Sequence, residues 1–77
     1  MDAHWSLHIV IDPKVQGGAP VIRGTRVPVA VLVEALAAGD GVPEVARAYR
    51  VTDEQVRVAL AYAAELVRSE RTLALPR

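Results

Sequence analysis

A chain of 77 residues has room for one domain, since two cores of this size would each bury too little apolar surface to fold. Hydrophobic residues make up 52% and charged residues 23%, which excludes an intrinsically disordered chain. Nine basic residues balance nine acidic ones, so the broad positive field of a strong nucleic-acid binder is missing and any DNA affinity must come from local clusters.

Cysteine is absent, so neither disulfides nor thiolate metal ligands can supplement so small a core, and a homodimer is the expected support. Phe is also absent, which leaves Val, Leu, Ala, Ile and two Tyr to build that core. No basic-then-apolar leader and no apolar run of about 18 residues is found, and the expectation is a cytoplasmic protein without a membrane partner.

In chain order, Leu7 to Ile11 is β-prone, and Asp12-Pro13 ends it because proline lacks an N–H and biases its predecessor away from helix. Gly17-Gly18 and Pro20 mark a loop, and Val21-Ile22-Arg23 reads as a second short strand closed by Gly24-Thr25. Two such strands form an arm that needs a neighbour, because a short hairpin is unstable alone.

Pro28 is placed for a first helical turn, with Val29, Leu32, Val33 and Leu36 at helical spacing until Gly39, so the first helix covers Pro28 to Ala38. Asp40-Gly41 opens a shorter second helix through Val42, Val45, Ala46 and Tyr49, with Glu44 complementing the dipole of its first turn. Thr52-Asp53-Glu54-Gln55 is a capping box that starts a third helix reaching Arg68 or Ser69. On that helix the stripe Val56, Leu60, Ala63, Val67 is expected to face inward, with Glu54, Val58, Ala61 and Glu65 outward. The expected fold class is mainly α, a three-helix bundle of helix-turn-helix outline with a short N-terminal β arm. It forms a single domain over residues 1–77, with the arm at 7–27, the bundle at 28–69 and a tail at 70–77.

Several residue groups are candidates for chemistry. Lys14, Arg23 and Arg26 lie in an acid-free stretch over residues 13–33 and serve either as a solvated loop or as a contact for phosphate or an acidic protein surface. Gln55 and Arg57 flank the third helix and are within reach of a phosphate or base edge, although Asp53 and Glu54 oppose groove entry. Val58, Ala61 and Tyr62, on the outward side of this helix, are expected to leave apolar surface for a dimer or toxin contact. Tyr49 and Tyr62 are read as packing or interface aromatics. Arg71 and Arg77 surround Leu73 and Leu75 in the tail, where the leucines suit an apolar groove and Arg71 an acidic site. His4 and His8 would share a helical face, but their segment reads as strand and no third ligand is near, so no metal or cofactor is expected. No paired acids or Ser-His combination has motif context, and no enzymatic activity is expected.

The run Ile11-Asp12-Pro13, Gly17-Gly18, Pro20-Val21-Ile22-Arg23-Gly24-Thr25-Arg26-Val27-Pro28-Val29, then Gly39-Asp40 and Gln55-Val56-Arg57-Ala59-Leu60-Tyr62-Ala63, resembles the bacterial family known as domain of unknown function 433. The resemblance spans nearly the whole chain. It implies a homeodomain-like helical fold with a β arm, and an antitoxin role beside a toxin with a PIN-like ribonuclease fold. Gly41-Val42-Pro43 departs from the family pattern, which more often has a Ser cap and acidic residues there.

The expected function is therefore a type II antitoxin that neutralises such a toxin and binds promoter DNA for autoregulation. The alternatives are a stand-alone DNA-binding regulator and a homodimerising interaction module.

Overall fold

The computed structural model describes residues 7–69. Strands β1 (Ile9–Val10) and β2 (Val21–Ile22) form an antiparallel pair, with Ile9 opposite Ile22 and Val10 opposite Val21. Helices α1 (Val29–Ala37), α2 (Val42–Tyr49) and α3 (Asp53–Ser69) follow. The mainly helical bundle with a two-stranded N-terminal arm matches the fold expected from the sequence, although each strand is only two residues long. Between the strands, Gln16–Gly18 forms a 3₁₀ turn where a plain loop was expected.

Each helix boundary has a local cause. Pro28 precedes α1 in extended conformation, and its carbonyl accepts the Val31 N–H at 3.1 Å. Gly39, at φ 109°, ends α1 in the left-handed region that glycine adopts cheaply, and Asp40 N–H then closes back onto the Ala35 carbonyl at 3.2 Å. The unusual start of α2 is held from within the helix, where the Gly41 N–H donates to Glu44 Oε1 at 2.6 Å. At α3 the capping box is complete. The Gln55 N–H donates to Thr52 Oγ1 at 3.0 Å, and the Thr52 N–H donates to Gln55 Oε1 at 2.9 Å.

One aliphatic cluster unites these elements. Ile22, Leu32, Val56 and Ala59 are fully buried, and Ile9, Val29, Val45, Ala46, Val58 and Tyr62 complete the same cluster. The arm is thus part of the core, which is how strands too short to stand alone persist. No buried side chain among the described residues is polar or charged, apart from the phenol of Tyr62.

The face of α3 differs from the sequence expectation. Leu60 and Val67, expected inside, are 46% and 72% exposed, whereas Val58 and Tyr62, expected outside, are 7% and 5% exposed. Because α3 packs against both α1 and α2, its buried arc is broad. That arc is centred on Val56, Ala59 and Tyr62 and takes in Val58 at its edge. Val58 and Tyr62 therefore belong to the core, although Tyr62 also lines a surface groove, and Ala61 alone of those three is exposed.

Leu32→Ala should lower the unfolding free energy by about 2–5 kcal/mol, because it empties a fully enclosed site. Val67→Ala should change it by less than about 0.5 kcal/mol. Urea denaturation of the two variants checks the assignment, and a large loss at Val67 would contradict it.

Candidate partner groove and basic turn

The segment Ile22 to Val27 is a tight turn whose residues divide the work between them. Thr25 N–H donates to the Ile22 carbonyl at 3.0 Å, and Gly24 at the third position has φ 82°, the arrangement of a type II turn. The Thr25 hydroxyl donates to the same carbonyl at 2.7 Å and accepts the Val27 N–H at 3.0 Å, so one side chain ties both limbs together. Ile22 N–H in turn donates to the Val27 carbonyl at 3.0 Å. Arg23 and Arg26 are both exposed on this turn. Arg23 is further fixed by its N–H, which donates to the His8 carbonyl at 2.7 Å.

Past the turn, the chain is locked at its base. Val21 bridges Pro28, and the Val29 N–H donates to the Pro20 carbonyl at 2.9 Å. Pro20 and Pro28 thereby stand side by side at the rim of an open groove of about 380 Å³. Its floor and walls come from Ala19, from Val29, Ala30 and Val33 of α1, and from Tyr62, Ala63 and Leu66 of α3, with Glu34 as the one charged lining residue. Leu66 is 38% exposed. The result is an apolar trough, and Arg23 and Arg26 are exposed on the turn that leads into Pro28, one of its lining residues, a combination suited to aliphatic side chains flanked by carboxylates.

The other expected site residues are dispersed. Lys14 is exposed on the separate loop after β1, where its N–H donates to Asp12 Oδ1 at 2.9 Å in a local turn. Gln55 is half-buried with its carbonyl oxygen committed to the cap of α3. Arg57 is exposed on the first turns of α3, beyond the exposed acids Asp53 and Glu54. Arg71, Leu73 and Leu75 lie outside the described residues, as does His4. No group of three His, Cys, Asp or Glu side chains that could hold a metal is found among the described residues.

Two cations escaped the sequence reading. Arg47 in the last turn of α2 and Arg50 at its end are both exposed, and Arg50 adopts the left-handed conformation at φ 60°. The spacing of two arginines three apart directly before the Thr52 capping box was the available signal. With Arg57 they border the turn between α2 and α3.

Comparison with known proteins fits this architecture. The profile of the family described as "Protein of unknown function (DUF433)" matches residues 9–63, from β1 into the second half of α3. The chain belongs to the DUF433 family. It is 41% identical over 56 residues to the uncharacterized protein y4eO of Sinorhizobium fredii (strain NBRC 101917 / NGR234), a match covering 71% of this chain and 25% of that protein. The crystal structure of Rv2018 from Mycobacterium tuberculosis is similar at 42% identity and a TM-score of 0.64, over 68% of this chain and 24% of the other. This DUF433 chain thus spans about a quarter of the length of both relatives. The matched region includes the whole Ile22 to Val27 turn and ends at Ala63, short of Leu66 at the groove's far end.

Thr25→Val should cost about 1–2 kcal/mol, because it removes both hydroxyl hydrogen bonds from a half-buried position at nearly constant volume. Thr25→Ser should recover most of that loss. Thermal unfolding of the pair separates the hydrogen bonds from the packing, and equal losses in both variants would contradict the assignment.

Proposed function

We propose that this domain is a non-catalytic recognition module of an antitoxin, binding a ribonuclease toxin of PIN-like fold. The observation that carries the reading is the apolar groove together with exposed Arg23 and Arg26 on the turn that leads into its lining residue Pro28. A metal-dependent nuclease presents clustered carboxylates, and guanidinium groups pair with them bidentately while staying charged at any physiological pH. The groove takes an apolar segment of the toxin, and the turn meets its acidic surface. The resemblance of the Pro20 to Val29 run to antitoxin-associated domains supports the same reading, with the tail residues Arg71, Leu73 and Leu75 as a second contact.

The test is inhibition of a purified ribonuclease of PIN-like fold by this protein, with folding checked by circular dichroism. Ala30→Glu places a charge on an exposed groove wall and should abolish inhibition, and Arg23→Ala with Arg26→Ala should weaken it about tenfold or more. Truncation after Arg68 should reduce inhibition with the fold intact. Full inhibition by folded Ala30→Glu protein would remove the groove from the contact.

Arg47, Arg50 and Arg57 around the α2–α3 turn favour promoter DNA as a further partner. Because Asp53 and Glu54 stand at the start of α3, the double variant Arg23→Ala with Arg26→Ala should weaken DNA binding more than Arg57→Ala does. Gel-shift titrations at one fixed salt concentration check this, and a reversed order would make α3 the reading helix.

A further inference from the structure

The outer face of α3 is unusual for a monomer. Leu60, Ala61 and Ala64 are exposed along it, and Val67 is 72% exposed. The centre of this face, at Ala61, lies on the side of the helix away from Val56, Ala59 and Tyr62 and so from the core and the groove, while Leu60 and Val67 sit at its edge, next to Val56.

The charges along it are ordered. Glu54, Arg57, Ala61, Glu65 and Arg68 fall at i, i+3, i+7, i+11 and i+14, a single helical stripe reading negative, positive, neutral, negative, positive. This pattern inverts its sign about Ala61. A two-fold axis beside Ala61 brings a second copy of the helix alongside in antiparallel orientation. Glu54 then lies level with Arg68 of the other copy, and Arg57 level with its Glu65. All four flanking contacts join opposite charges. A parallel pair in register would instead oppose like charges at every one, so the sequence selects orientation as well as contact. The small side chains of Ala61 and Ala64 let the helices approach closely.

We propose that two copies of this chain associate through α3, antiparallel and centred on Ala61. Within one copy Arg68 Nη1 already meets Glu65 Oε1 at 3.3 Å, with the two side chains 63% and 39% exposed. So exposed a pair contributes little, and exchanging it for contacts across the interface costs little. A single 17-residue helix per side gives a small interface, so the dimer is weak and exchanges at micromolar concentration. It engages the face of α3 opposite to the toxin groove, and its failure would leave the groove proposal untouched.

Sedimentation equilibrium of the full chain over micromolar to submillimolar concentrations tests the pairing, with circular dichroism confirming that each variant is folded. Wild-type protein should dimerise, and Ala61→Glu, which sets two carboxylates on the two-fold axis, should be monomeric. Arg57→Glu should weaken the dimer about tenfold or more, and Arg57→Glu with Glu65→Arg should recover wild-type affinity. A monomeric wild type, a dimer that survives Ala61→Glu, or a double variant no tighter than Arg57→Glu would each overturn the proposal.

Discussion

Ile22 has to be inside the helical core for any of the outer features to exist. A two-residue strand has almost no stability of its own, and what fixes β2 is that its side chains replace water with the cluster formed by Leu32, Val45 and Val56. Once Ile22 is buried, the turn that follows it must begin at a fixed point, and the Pro20 carbonyl is held where the Val29 N–H can reach it. The two prolines, the arginine-bearing turn and the groove rim are therefore consequences of one burial event. Contact with the core sets the geometry of the binding surface.

Much of this order was legible in the sequence because it is written in local chemistry. A Thr-x-x-Gln box, a proline before an aliphatic run and a glycine after one each act within a few residues, and the starts of α1, α2 and α3 and the end of α1 fall within a residue of where those signals place them. The strands came out shorter than the β-prone runs, since pairing extends only as far as a partner is present. The face of α3 was not legible. Val58, Ala59 and Tyr62 on one side and Leu60, Ala64 and Val67 on the other both satisfy a helical period, and with Tyr62 on one side and Leu60 on the other, side-chain size does not break the tie. Only the positions of α1 and α2 decide it, and those are nonlocal facts. The candidate site was legible to the same degree: the arginines of the turn could be named from sequence, but the trough behind them depends on α3 passing close to Pro20 and Pro28.

The corrected face of α3 also reorganises the choice of partners. With Tyr62 inside, one flank of the helix closes the groove and the other carries the ordered charges, so a single helix can serve two partners on opposite sides. A copy of this chain seated on Arg57 excludes DNA from the same residue. Arg47 and Arg50 stay outside the helix stripe that such pairing uses, as do Arg23 and Arg26 on the turn. Phosphate contacts and self-association need not compete.

Arg50 carries a cost that, among the described residues, only Gln16 shares. It stands at the end of α2 in a left-handed conformation, with its N–H donating to the Ala46 carbonyl, at the kind of position that glycine fills in many helices and fills in this chain at Gly39. A residue with a β-carbon gives up about 1 kcal/mol there. In a protein this small, such a concession is a noticeable fraction of the total stability. At this elbow between α2 and α3 a glycine would relieve the strain and remove an exposed guanidinium from the surface.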